Sequence, residues 1–118
     1  MVLVIDDEEM ILESIQDILA MINVPTLCAV NGQVGIEIFQ AQQGQIRVIL
    51  LDMLMPVMGG PETLRKIREL DPEIQVILSS GFSESDTRAH LHDNHAVIFL
   101  QKPYALETLL NKVQTALA

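Results

Sequence analysis

The sequence predicts an α/β domain built on a doubly wound, five-stranded parallel sheet. Two observations carry that prediction. Five short apolar runs recur along the chain, and each is continuous rather than alternating, as strands covered on both faces are. Helical apolar patterns lie between them, giving a β-α order repeated five times with short joints. That order implies a parallel sheet with helices on both faces and right-handed crossovers. In such sheets, binding sites form beyond the carboxyl ends of the strands, near the point where strand order reverses.

The elements follow in order. The first strand is Val2–Ile5, and Ile11, Ile15, Ile18, Leu19 and Ile22 then repeat at helical spacing. The second strand, Thr26–Val30, leads to a helix opened by Asn31-Gly32, with Val34 and Ile38 one turn apart. The third strand is Val48–Leu51. Leu64 and Ile67 mark a shorter helix with Pro61 near its start, where a missing N–H costs little. The fourth strand is Ile74–Ser79. Ser83-Glu84-Ser85-Asp86 then reads as a capping box with Asp in the Glu position, followed by a thin apolar stripe. The fifth strand is Ala96–Leu100, and Leu106, Leu109, Leu110, Val113 and Leu117 stripe the last helix.

At 118 residues the chain reads as one domain, 1–118, large enough to bury an ordinary core. No apolar run approaches the roughly 18–20 residues that span a bilayer. There is no basic segment before an apolar one, so no signal peptide is expected. With 16 acids against 7 bases the net charge is −9, which argues against nucleic acid as a direct ligand. The basic group Arg65-Lys66-Arg68 reads as a solvated helix face. The single cysteine, Cys28, excludes an internal disulfide and reads as a buried, inert thiol. The expected location is cytoplasmic. His90, His92 and His95 match no metal-ligand spacing and read as a solvent-facing helix end, and the Met53, Met55 and Met58 loop reads as packing.

The strand ends carry the chemistry. The first run ends at Asp6-Asp7, the third at Asp52, the fourth at Ser79-Ser80 and the fifth at Lys102-Pro103. Each is unremarkable alone: an Asp pair before a helix is a usual cap and dipole partner. Together, in a parallel sheet, they bring three carboxylates, a hydroxyl and an ammonium toward one volume. Clustered carboxylates are costly without a cation, and hard oxygen donors suit Mg²⁺ rather than zinc. A carboxylate can also be the nucleophile that takes a phosphoryl group, with metal and lysine neutralising its oxygens. Asp6 and Asp7 are then the metal-facing pair, while Glu8 and Glu9 sit in the first helical turn.

These residues resemble the receiver domain of two-component response regulators, and the resemblance covers essentially the whole chain. It rests on Asp6-Asp7, "LLDMLMPVMGG" around Asp52, "VILSSG" ending in Ser80-Gly81, and "FLQKPY" containing Lys102-Pro103. It implies a flavodoxin-like, CheY-like (βα)5 fold with strand order 2-1-3-4-5, the order of the family's chemotaxis member. It implies that Asp52 accepts a phosphoryl group from a phosphohistidine on a histidine kinase or histidine phosphotransfer protein. The domain would catalyse its own phosphorylation and dephosphorylation without being an enzyme in the usual sense. Asp7 and Asp52 would bind Mg²⁺ directly, with Mn²⁺ as an alternative. Asp6 would act largely through water, and the Leu54 carbonyl would complete the ligands. Ser80 and Lys102 would hold phosphoryl oxygens, the peptide before Pro103 would be cis, and Phe99 would be the switch aromatic. The face of the fourth helix, fifth strand and fifth helix would change on phosphorylation and is the candidate homodimer surface.

Gly59 stands where the family often has an acid, which predicts altered loop behaviour rather than lost chemistry. "SSG" followed by Phe82 is reminiscent of receivers in hybrid histidine kinases, so the chain reads as such a receiver or as a stand-alone regulator. With the last helix ending the sequence, output is expected from a partner, from self-association or from further domains. Leu54 and Phe82, both apolar, predict a long-lived aspartyl phosphate. An aspartate-nucleophile phosphatase of the haloacid dehalogenase type would need an acid at position 54, where Leu cannot transfer a proton. A receiver-like module without the chemistry would need to lack these site residues, and all are present.

Overall fold

The computed structural model describes residues 1–55, 57–91 and 97–118. His92, His95 and Ala96, and with them part of the histidine group and the start of the fifth run, lie outside the described residues. The order is β1 (Val2–Ile5), α1 (Glu9–Ala20), β2 (Thr26–Ala29), α2 (Gly32–Ala41), β3 (Val48–Asp52), α3 (Gly60–Leu70), β4 (Gln75–Ser80), α4 (Glu84–Ala89), β5 (Val97–Gln101) and α5 (Leu106–Leu117). All strands are parallel, in the order β2-β1-β3-β4-β5. The doubly wound sheet read from the sequence is the sheet observed.

Alternation along buried strands builds two cores. Leu3, Ile5, Ile49, Leu51, Val76 and Leu78 face α2 and α3, where they meet Ile36, Phe39, Leu64 and Ile67. Val2, Val4, Val48, Leu50 and Ile77 face α1 and α5, where they meet Leu12, Ile15, Leu19, Leu109 and Val113. Each fully buried aliphatic side chain here contributes about 1.5–3 kcal/mol.

Strand ends shift by about one residue from the sequence reading. β3 runs on to Asp52, which pairs with Ser79, and β4 starts and ends one residue later than its apolar run. Val30, 41% exposed, falls outside β2 because the chain there turns into the α2 cap, where the Asn31 side chain accepts from Val34 N–H at 2.9 Å. In α1 the deep stripe is Leu12, Ile15 and Leu19, with Ile11 and Ile18 half-buried and Ile22 beyond the helix end. In α5, Ala116 takes a buried place and Leu106 is exposed. Pro61 lies in the first turn of α3 as expected. The basic group on α3 is only partly solvated: Arg65 pairs with Glu69 at 3.0 Å and Lys66 with Glu62 at 3.8 Å, each one turn apart, while Arg68 is half-buried and donates to the Pro72 and Ile74 carbonyls. Cys28 is half-buried rather than buried, and burial pushes its thiol pKa up. No helix among the described residues is long and apolar enough to cross a membrane.

Among the described residues two non-glycines have positive φ: Asn23, at 60, a residue type that tolerates it, and Val57, a type that does not. Val57, in the loop between β3 and α3, has φ 68, in the left-handed region that suits Asn or Gly and costs a β-branched residue about 1–2 kcal/mol. Its side chain is 83% exposed, so little packing offsets that cost. Val57→Asn should stabilise the fold by about 0.5–1 kcal/mol in urea denaturation. An unchanged or lower midpoint would mean the loop relaxes its strain elsewhere.

Candidate phosphoryl-transfer site

The reversal of strand order falls between β1 and β3, and their carboxyl ends frame the site. Ile5 is in register with Leu51, so Asp6 and Asp52 occupy neighbouring positions one step further on. Asp6 stays tied to the sheet edge through its own N–H, which donates to the Ala29 carbonyl at 3.0 Å. Its side chain is buried and turns back, Oδ1 accepting from Glu8 N–H at 3.0 Å. Asp52, 6% exposed, closes β3.

Lys102 joins these two carboxylates. Its Nζ donates to Asp52 Oδ1 at 3.0 Å and to Asp6 Oδ2 at 3.4 Å. The loop after β5 delivers it there. Lys102 N–H donates to the Ser80 carbonyl at 2.7 Å, and the Lys102–Pro103 peptide is cis. One ammonium therefore serves two buried acids. Burial pushes the Asp52 carboxyl above its ordinary range, and the Asp6 charge pushes it further. Hydrogen bonds from Lys102 and from the Leu54 N–H oppose this without prevailing. Burial pulls the Lys102 ammonium down, but its bonds to Asp52 and Asp6 outweigh that, so its pKa lies above the usual lysine value. Tyr104, half-buried beside the α1–α5 core, has its phenol pushed up by burial.

Asp7 is exposed and belongs to an acidic group with Asp6 and Glu8, whose nearest oxygens lie within 4.8 Å of one another. Glu8 was expected only as a first-turn helix residue. It occupies the cap position of α1, makes no side-chain cap, and joins the acidic group instead. This donor set fits Mg²⁺: the oxygens are hard, and the buried acids outnumber their one ammonium. Asp6 and Asp52 share a single Lys102 ammonium, at 3.4 and 3.0 Å.

The remaining candidates are less drawn together. Ser80 ends β4 and is fully buried, yet its Oγ accepts from Phe82 N–H at 3.1 Å and from Thr87 Oγ1 at 3.0 Å. Phe99 lies in β5, in register with Leu78, and is partly exposed. Leu54 and Phe82 are exposed, at 62% and 53%. Two residues passed over in the sequence matter here. Thr87 is buried against Ser80, and its only sequence signal is a hydroxyl one helical turn past the Ser83 cap. Gly60 packs α3 onto the Asp52-Met53 backbone, its N–H donating to the Met53 carbonyl at 3.0 Å.

Comparisons with known proteins show the family and the fold. The family model described as response regulator receiver domain matches residues 2–114. The chain is 32% identical over 110 residues to the probable C4-dicarboxylate response regulator DctR of Bacillus subtilis, covering 92% of this chain and 48% of that protein. It is 35% identical over 111 residues to the autoinducer 1 sensor kinase/phosphatase LuxN of Vibrio campbellii, covering 92% of this chain and 12% of that one. The chain thus spans about half, or far less, of the curated relatives it matches. A response regulator receiver domain protein from Clostridium thermocellum has a similar structure, with a TM-score of 0.89, 31% identity, and coverage of 98% of this chain and 91% of that one.

Proposed function

The chain belongs to the response regulator receiver domain family of two-component systems, and from that premise we propose that residues 1–118 form one phosphoacceptor unit whose acceptor is Asp52. The observation that supports this most is the Asp52 carboxylate at the end of β3, buried, beside Asp6 and held by the Lys102 ammonium at 3.0 Å. An Asp52 oxygen attacks the phosphorus of a phosphohistidine on a histidine kinase or phosphotransfer protein. The P–N bond breaks, and the imidazole leaves with its electron pair and takes a proton from solvent. Lys102 turns from Asp52 toward a phosphoryl oxygen, compensating charge where it develops. Asp6, Asp7 and Asp52, with the Leu54 carbonyl, would hold Mg²⁺ or Mn²⁺, Asp6 largely through water, and the ion supplies neutralisation of the phosphoryl oxygens. The domain's own residues thereby promote both transfer and hydrolysis.

Ser80 reaches the phosphoryl group in the activated state, Phe99 turns inward, and the α4–β5–α5 face changes as a population shift. That face is the proposed output and homodimer surface. A labile phosphohistidine donor and a single free thiol fit the cytoplasm. The similarity to both DctR and LuxN fits either a regulator or a hybrid-kinase receiver.

The test is intact-mass spectrometry after incubation with acetyl phosphate, with and without Mg²⁺, on the parent and on Asp52→Asn. One added phosphoryl group that requires both Mg²⁺ and Asp52 is the expected result. A gain that survives in Asp52→Asn, or no gain in folded parent, would overturn the reading.

Hydrolysis should be slow. Neither Leu54 nor Phe82 can orient a water by hydrogen bonding, and both border the solvent side. Leu54→Asn with Phe82→Glu should shorten the phosphoaspartate lifetime on the order of 10-fold, the worth of one good hydrogen bond in a barrier. Equal lifetimes by mass decay would show that water access is not the control.

A further inference from the structure

α4 is seated unlike the other helices. α5 docks through Leu109 and Val113, and α3 through Leu64 and Ile67. α4 has six residues, and its one buried side chain is Thr87. That side chain is a hydroxyl, 1% exposed, and its Oγ1 lies 3.0 Å from Ser80 Oγ, itself 1% exposed. Among the described residues, further ties of α4 are at its rim: Ser83 accepts from Asp86 N–H at 3.1 Å, the Asp86 carbonyl lies 2.8 Å from His90 Nδ1, and Arg88 bonds Glu84 at 2.8 Å and the Val97 carbonyl at 2.9 Å. The centre of the α4–sheet contact is thus a hydroxyl pair.

The register explains why Ser80 points there. Asp52 pairs with Ser79, and the two share the face of Leu50 and Ile77. Alternation turns Ser80 to the opposite face, with Leu78, toward α4. A serine hydroxyl has one proton and two lone pairs. Phe82 N–H takes one lone pair and Thr87 the other. For Ser80 to donate to an oxygen on Asp52 it must rotate away from α4. Rotation parts it from Thr87 and leaves that hydroxyl buried without its partner.

We infer that Thr87 is a positioning residue that holds Ser80 withdrawn from Asp52 and couples the Ser80 rotamer to the seating of α4. This rests on the reading of Asp52 as acceptor and Ser80 as phosphoryl-binding. The Thr87 bond favours the unphosphorylated arrangement, so removing it makes activation easier. An ordinary core role predicts the reverse or nothing, because damaging the α4 contact should not tighten binding at Asp52.

The test is an amide NMR titration of the full chain with Mg²⁺ and beryllofluoride, which stands in for the phosphoryl group on Asp52. Thr87→Val keeps the shape and removes the hydroxyl. Its half-saturating beryllofluoride concentration should be roughly threefold to tenfold below the parent's, the range for one buried neutral hydrogen bond. Thr87→Ser should titrate like the parent. In a Ser80→Ala background, Thr87→Val should have no further effect, since Thr87 acts through Ser80. Thr87→Ala is the second probe if the valine methyl disturbs the fold, with the same expected direction. A midpoint equal to or above the parent's in both variants, or a shift that persists without Ser80, overturns the inference. A parent that does not respond to beryllofluoride overturns instead the reading of Asp52 on which it rests.

Discussion

Lys102→Met should lower stability by about 3 kcal/mol at pH 7 without added divalent ion, and Mg²⁺ should restore much of that loss. The reason is the arrangement of one ammonium between two acids that are 3% and 6% exposed. Removing one partner of a buried pair leaves uncompensated charge, which costs more than the intact pair was worth. Here it leaves two carboxylates side by side. The pH dependence follows from the sign of the shift. The Asp52 pKa is already raised in the folded chain, so its contribution to stability is full below the ordinary carboxylate value and is lost as pH rises through the folded value. Without Lys102 the opposing hydrogen bond is gone and the raised pKa rises further. The variant should therefore gain stability, relative to the parent, as pH falls from 7 toward the carboxylate range. Urea denaturation at several pH values, with and without Mg²⁺, measures this. Phosphorylation by acetyl phosphate should fall on the order of 10²-fold, the usual cost of one preorganised charge-stabilising donor. A variant as stable as the parent in the absence of Mg²⁺ would show that solvent screens the two acids more than their burial implies.

The groups that meet at Lys102 were legible because the strands are short, apolar and parallel. A polar residue that follows such a run can only lie at the sheet's edge, and a common strand direction gathers those edges on one side. That argument reaches Asp6, Asp52, Ser80 and Lys102, but not their orientation. Ser80 and Ser79 are equivalent in composition, and only the register of β4 against β3 decides which faces α4. The α1 stripe was ambiguous for a related reason. Ile11 and Leu12 are both apolar, so helices turned by one residue fit the pattern equally, and packing on the sheet selects Leu12. Glu8 was read from helix-dipole preference, yet proximity to Asp6 and Asp7 gives it a second setting. In the Gly59-Gly60 pair, departure from the family pattern drew notice to Gly59. A Cβ at Gly59 would have, among the described residues, only Pro61 Cδ near it, at 3.9 Å, an ordinary contact. The constrained glycine is the next one.

Gly60→Ala should both destabilise the chain, by about 1–3 kcal/mol, and slow phosphoryl acceptance far more than the stability loss explains. A Cβ at Gly60 would sit 2.7 Å from Met53 Cα, 2.8 Å from the Met53 carbonyl oxygen and 3.0 Å from that of Asp52. All three are backbone atoms, so no rotamer change relieves the overlap, and overpacking of this kind costs about 1–3 kcal/mol. α3 cannot retreat freely either, because Leu64 and Ile67 are fully buried. The segment that can give is the turn from Asp52 to Leu54. That turn carries the acceptor carboxylate, the Leu54 N–H that bonds it and the Leu54 carbonyl proposed as a metal ligand. A shift of about 1 Å in a reacting group can cost about 10²-fold in rate. Gly59→Ala is the matched control, its Cβ making only an ordinary contact with Pro61 Cδ at 3.9 Å, and should phosphorylate like the parent. The measurement is the rate of mass gain from acetyl phosphate at a temperature where each variant is shown folded by circular dichroism. A Gly60→Ala chain that is destabilised yet phosphorylates at the parent rate would mean that strain leaves through α3, and that the Asp52 turn is held by the sheet alone.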